Sequence, residues 1–148
     1  MPTFRIDGEA VVCYEGFRRH NSLFPMSGSV IAELGDALDG YEVTKGTIHF
    51  AREEPFPARL LRRLIALRVS DINDGFPKRS GEFKHFFANG VLESRGRVRD
   101  GEMHGGWEWF RKDGTLKRSG RFRAGAQVGD WTTFDAAGRV VKVTDFGR

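Results

Sequence analysis

From residue 81 onward the sequence repeats itself every 24 residues. Phe83, Trp107 and Trp131 fall in one column of that period, and Phe86, Phe110 and Phe134 in another. Gly90, Gly114 and Gly138 follow, then Leu92, Leu116 and Val140. Val98, Phe122 and Phe146 close the unit, and Gly81, Gly105 and Gly129 stand ahead of the first aromatic. A period held over so many columns without a gap marks a repeat architecture, in which each unit stacks on its neighbours. Each unit carries Asn89-Gly90, Asp113-Gly114 or Ala137-Gly138 between two strand-like runs. The first two pairs are favoured two-residue hairpin turns, because Asn or Asp followed by Gly tolerates positive φ. The period therefore predicts three stacked β-hairpins over residues 81–148, none able to bury enough surface alone. Their structural core is Phe83, Phe86, Trp107, Phe110, Trp131 and Phe134, with Gly90, Gly114 and Gly138 at the turns.

The run Gly105-Gly106-Trp107-Glu108-Trp109-Phe110-Arg111-Lys112-Asp113-Gly114-Thr115-Leu116 resembles the MORN-repeat family (membrane occupation and recognition nexus), in the bacterial variant often labelled YwqK-type antitoxin. The shared pattern is Gly-x-Trp-x-x-aromatic, a turn glycine, then x-Leu, and it recurs as Gly129-x-Trp131-x-x-Phe134 with Gly138. Phe83, in place of Trp, suits a capping or edge unit. The resemblance implies an all-β MORN-type sheet that serves as an interaction or scaffolding surface. An antitoxin-like role in a toxin–antitoxin pair is the alternative that the label carries.

Within the repeat, residues that break the columns are the candidates for specificity. Trp109 stands opposite His85 and Thr133, so the repeat does not require its indole, and an exposed Trp can anchor a partner. In Gly96-Arg97-Val98-Arg99 and Gly120-Arg121-Phe122-Arg123, strand alternation sends Val98 and Phe122 to one face and the arginines to the other. Stacking then gathers Arg97, Arg99, Arg121 and Arg123, joined by Arg95, Lys117 and Arg118 and partly neutralised by Glu93, Asp100 and Glu102. An arginine face suits an acidic protein or phosphate. A protein partner is the first reading. An acidic lipid or a nucleic acid is the weaker alternative, since no recognition helix accompanies the charge.

The first half is different in charge. Up to residue 75 it holds nine Lys and Arg against eleven Asp and Glu, and beyond it fifteen against nine, so that −2 and +6 make up the net +4. Asp71-Ile72-Asn73-Asp74-Gly75-Phe76-Pro77-Lys78 is polar, with Asp-Gly and Pro signals, which predicts a domain over residues 1–72 and a linker over 73–80. Residues 9–17 and 22–25 read as strands around a polar turn at 18–21, and 45–50 as a third strand. Ser29 is placed to cap a short helix with Val30, Ile31, Leu34 and Leu38 on one side. Pro55 and Pro57 introduce a second helix that buries Leu60, Leu61, Leu64, Ile65 and Leu67 and turns Arg59, Arg62 and Arg63 outward. Helices on a face of an antiparallel sheet are the expected layering.

Met1-Pro2-Thr3-Phe4, Phe17-Arg18-Arg19-His20, Phe24-Pro25-Met26-Ser27-Gly28, Gly40-Tyr41-Glu42-Val43-Thr44-Lys45-Gly46-Thr47-Ile48-His49-Phe50 and Pro55-Phe56-Pro57 resemble the YdhG-like domain of the YjbR/CyaY-like superfamily. That likeness implies a frataxin-like α/β sandwich, and some members are called iron chaperones. The family places a helix ahead of the Met-Pro-Thr-Phe motif, so the expectation is a truncated module with one sheet face uncovered, open to pairing as a homodimer. The acidic surface that the family uses for iron lies on that helix, so no metal ligands are assigned.

Catalytic chemistry has little support. His20, His49, His85 and His104 form no metal-ligand spacing, and Cys13 has no partner cysteine. Asp36, Asp39 and Glu42, and Glu53 with Glu54, are loose carboxylate groups that can hold a hard cation weakly. The glycines follow the repeat rather than a phosphate-binding loop. No apolar run approaches the roughly 20 residues of a membrane-spanning helix, and a signal peptide's hydrophobic segment is missing from the first residues. The sequence thus predicts a cytoplasmic α+β protein, non-enzymatic, binding a protein or acidic surface without a cofactor. Iron binding through the first module is the alternative.

Overall fold

The computed structural model describes residues 2–27 and 29–148; Met1 and Gly28, which belong to the motifs quoted above, lie outside the described residues. The chain is mostly strand, in two antiparallel sheets, with two helices. It divides into two compact units: one runs to Ile72 and includes Ala88–Gly90, the other comprises Asn73–Phe87 and Val91–Arg148. Among the described residues no helix is long and apolar enough to cross a membrane.

The first unit contains β1 (Thr3–Ile6), β2 (Glu9–Gly16), β3 (His20–Phe24), α1 (Val30–Leu34), β4 (Glu42–Thr44), β5 (Thr47–Ala51) and most of α2 (Ala58–Asp74). Its sheet runs β1-β2-β3-β5-β4. Val11, Val30, Ile48 and Leu64 are fully buried at its centre. Several local expectations change. Lys45 and Gly46 form a turn rather than strand, since Gly46 has φ 81°, and the short strands β1 and β4 flank the three that composition reveals. Ser29 makes no capping bond; its hydroxyl lies 3.2 Å from the Ser27 hydroxyl, and Leu38 falls in a 3-10 turn over Gly35–Leu38. In α2 the buried stripe is Leu64, Val69 and Ile72, while Leu60, Leu61, Ile65 and Leu67 are half-buried. The helix continues through Asp74, so the stretch 73–80 is helical at its start.

The second unit is a single sheet in which each strand pairs with the next: β6 (Glu82–Phe86), β7 (Leu92–Arg99), β8 (Glu102–Phe110), β9 (Leu116–Arg123), β10 (Ala126–Phe134) and β11 (Val140–Asp145). Its loops correct the turn assignment. Gly90, Gly114 and Gly138 have φ of 86°, 89° and 84°, but Asn89, Asp113 and Ala137 are not in the left-handed region. In the second repeat, the Arg111 N–H donates to Thr115 O at 2.8 Å and the Gly114 N–H to Arg111 O at 2.9 Å. This is a three-residue loop ending in a glycine bulge, and the register shifts beside it at Trp109/Phe110. Only the glycine needs left-handed backbone, which is why Ala137 is accepted. The two-residue turns with both residues at positive φ lie between successive hairpins instead, at Asp100-Gly101 (52°, 80°) and Ala124-Gly125 (49°, 80°).

One contact recurs with the period. Trp107 lies over Gly96 and Trp131 over Gly120; a Cβ on either glycine would stand 2.1 Å from the indole Cδ2. The Trp107 indole N–H donates to Arg97 O at 3.1 Å, and that of Trp131 to Arg121 O at 3.2 Å. Both tryptophans are 2% exposed. Burying an indole is worth at most roughly 4–6 kcal/mol by area, against about 1 kcal/mol for its hydrogen bond. Seating the ring on glycine therefore stabilises the sheet more than the hydrogen bond does. Phe86 is buried as well, whereas Phe83, Phe110 and Phe134 are half-buried, because one sheet alone cannot enclose two aromatic rows.

Gly120→Ala is expected to destabilise the second unit by about 1–3 kcal/mol, read as a lower urea midpoint by tryptophan fluorescence, since Trp107, Trp109 and Trp131 all lie in that unit. Gly106→Ala, which meets nothing within 4 Å, is expected to leave the midpoint unchanged. The Thr115 backbone N–H and hydroxyl donate to Asp113 Oδ1 at 2.9 and 2.7 Å. They hold its carboxyl below the usual carboxylate range. The stability this brings is present above the unfolded pKa and lost as pH falls through the lower folded value. Asp113→Asn is thus expected to flatten the dependence of the urea midpoint on pH below about pH 4.

Candidate interaction surface

Strand alternation sets Arg97 and Arg99 on β7, and Arg121 and Arg123 on β9, opposite Val98 and Phe122. Strand β8 runs between the two pairs. Neighbouring strands are about 4.8 Å apart, so the two pairs stand about 10 Å apart across β8. They are staggered along it, with Arg97 and Arg99 beside His104 and Glu102, and Arg121 beside Gly106. All four side chains are exposed. Arg97 donates to Ser80 O at 3.2 Å. Arg99, Arg121 and Arg123 make no side-chain hydrogen bond or ion pair among the described residues.

Among the described residues none of the expected neutralising acids makes an ion pair with these four arginines, although Glu102 is the cross-strand neighbour of Arg99 on the same face. Glu93 lies 3.1 Å from His85 Nδ1, Asp100 is in the tight turn, and Glu102 packs beside Gly125. Arg95 is the arginine that finds an acid, Glu108, at 2.7 Å, and its guanidinium also covers Phe110 at 5.6 Å. Arg118 is on the other face, 4.6 Å over the Trp131 ring, and leaves the group in which the sequence sets it.

Trp109 is half-buried within the aromatic row. It stacks 5.8 Å from Trp107 and lies 5.4 Å from Trp131 and 6.2 Å from Phe122. The row extends from Phe83, 5.2 Å from Trp107, to Phe146, 6.1 Å from Trp131. Trp109 and the arginines thus occupy opposite faces, because Trp109 is two residues from Trp107 on the same strand.

Column reasoning misses Arg111, which stands where the other repeats have Phe87 and Asp135. Its guanidinium donates to Leu116 O at 3.1 Å, to Asp135 O at 3.5 Å and to Phe134 O, tying the second hairpin's loop to the end of β10. The break in the column is the signal that marks it.

In the first unit, His20 and His49 meet at a 4.7 Å ring separation, from strands with no sequence signal linking them. The buried Ser22 hydroxyl lies 3.0 Å from His49 Nδ1 and the Thr44 hydroxyl 3.4 Å from Nε2. Glu42 and Glu54 line the adjoining 280 Å³ cleft. Asp36, Asp39 and Glu53 are exposed, and among the described residues no three His, Cys, Asp or Glu side chains are arranged to hold a metal ion. Cys13 is buried, its Sγ 3.3 Å from the Thr3 hydroxyl. A wider apolar cleft of 630 Å³ opens between Phe4, Val12, Tyr14, Leu23, Phe50 and Phe56, with Phe4 47% and Tyr14 41% exposed.

Arg111→Met is expected to cost the second unit about 2 kcal/mol, the scale of charge-assisted hydrogen bonds to carbonyls, seen as a lower urea midpoint with unchanged tryptophan emission in the folded state. Comparison with family models, with curated proteins and with solved structures finds no match to this chain.

Proposed function

We propose that this is a non-enzymatic binding protein whose second unit, a MORN-type repeat sheet, contacts an acidic protein surface through Arg97, Arg99, Arg121 and Arg123, beside a frataxin-like first module. The observation that carries the reading is that Arg99, Arg121 and Arg123 are exposed and unpaired among the described residues, on the face opposite the aromatic row. A guanidinium fork matches carboxylates in geometry as well as charge. A hydrogen-bonded sheet also holds the four Cα positions in place, so the backbone loses little freedom on binding. The roles divide by face: rings on one side hold the hairpins together, and cations on the other meet the partner. Such contacts set association rate and partner choice through long-range attraction, and weaken with salt. The iron-handling and antitoxin readings rest on family likeness alone.

Fluorescence anisotropy with a labelled polyglutamate peptide tests the reading. The wild-type chain is expected to bind in low salt and to release as salt is raised. The variant with Arg97, Arg99, Arg121 and Arg123 all changed to Glu is expected to bind at least about tenfold more weakly, with its tryptophan emission intact. Equal binding by the variant overturns the assignment. Tighter binding to phosphatidylserine vesicles or to a single-stranded oligonucleotide replaces the protein partner with that class.

A further inference from the structure

The two edges of the second unit's sheet are treated differently. Edge strand β6 has its outward groups occupied: the Asn73 amide donates to Phe86 O at 3.0 Å and accepts from the Phe86 N–H at 2.8 Å, and the Lys78 N–H donates to Glu82 O at 2.8 Å. Among the described residues, edge strand β11 pairs with β10 alone. Val140, Val141 and Val143 are 57%, 60% and 55% exposed along it. A six-residue, valine-rich edge without Pro or Gly is a ready template for another strand. The edges of the first unit's sheet, β1 and β4, are four and three residues long.

We propose that β11 pairs antiparallel with β11 of a second copy of this chain, giving a two-fold dimer with one continuous twelve-stranded sheet.

Two features select a second copy. The first concerns extension by another repeat unit. Trp107 and Trp131 need the glycine seats Gly96 and Gly120, but the corresponding residue on β11 is Thr144, whose side chain fills the seat. The tryptophan of a further unit has no place there, which disfavours an open-ended stack and leaves closed pairing. The second is charge. The stretch Val140–Asp145 carries one Lys and one Asp, so it meets itself without net repulsion.

The faces fix the register. An antiparallel pair about an axis normal to the sheet places residues of the same face opposite one another. Lys142 and Thr144 share the face of Thr133 and Trp131, and Val143 and Asp145 that of Thr132 and Asp130. Centring the axis on Lys142 sets two lysines opposite, which is destabilising. Centring it on Val143 sets Val143 against itself and Lys142 against Thr144 of the second copy. The same axis brings the arginine faces of both copies to one side of the sheet.

Sedimentation velocity on the full chain tests this across its soluble concentration range. The wild-type chain is expected to reach twice its monomer mass. Val143→Lys and Val143→Glu are each expected to remain monomeric, and an equimolar mixture of the two to recover the dimer. Val143→Thr keeps a β-branched pair and is expected to dimerise. Tryptophan emission unchanged from the wild type in the absence of urea, with a cooperative urea transition, establishes that the variants fold. A monomeric wild type, dimers of Val143→Lys alone, or a mixture that stays monomeric each overturn the proposal.

Discussion

The second unit depends on an indole lying flat on a glycine of the adjoining strand. Gly96 and Gly120 have no Cβ, so the rings of Trp107 and Trp131 approach the sheet closely enough to be almost wholly removed from water. The indole N–H of each then reaches a carbonyl of that same adjoining strand, at Arg97 or Arg121. These contacts join one hairpin to the next, whereas the pairs Phe83 with Gly96 and Trp107 with Gly120 act within a hairpin. A lone hairpin is marginal; the ring-on-glycine contact makes neighbouring hairpins depend on one another. With that bond made on one face, the other packs more lightly, through Arg95 with Glu108 over Phe110, and exposed arginines can occupy the rest of it at little cost to the fold.

Much of this is legible in the residues, and the failures have a common cause. The period of 24 locates every strand of the second sheet, because aromatic, turn glycine and aliphatic recur together. The same alignment shows Gly96 and Gly120 only as spacers before the arginines, since a period identifies positions without saying which strand lies over which. Arg118 goes astray for a related reason: it is charged like its neighbours, yet alternation counted from Phe122 sends it to the aromatic face, where it covers Trp131. The turns go astray because Asn-Gly and Asp-Gly fit two loop types, and the choice rests on where the strand hydrogen bonds resume.

In the first unit the long, composition-rich strands β2, β3 and β5 are readable, and β1 and β4 are not. Strands of three or four residues carry too few positions for alternation to show. The His20–His49 contact is likewise invisible in sequence, because it arises from the pairing of Ser22 with His49 across β3 and β5. The capping expectation at Ser29 fails because its backbone is already helical, with φ −98° and ψ −24°, which turns its hydroxyl away from the capping position.

The three loops that end the hairpins are alike in backbone and unlike in circumstance. Ala88–Gly90 is grouped with the first unit, and the loop beginning at Arg111 is bound by that residue's guanidinium to the next hairpin. The third, around Ala136 and Ala137, is exposed and is closed by Asp135, whose carboxylate accepts from the Ala137 and Arg139 N–H groups. Its tip is shaped from within by Asp135, while the Arg111 guanidinium holds only its base, at the Phe134 and Asp135 carbonyls. It is the loop where added chain disturbs least, and so the natural point for attaching a label or a tether to this protein without altering the sheet.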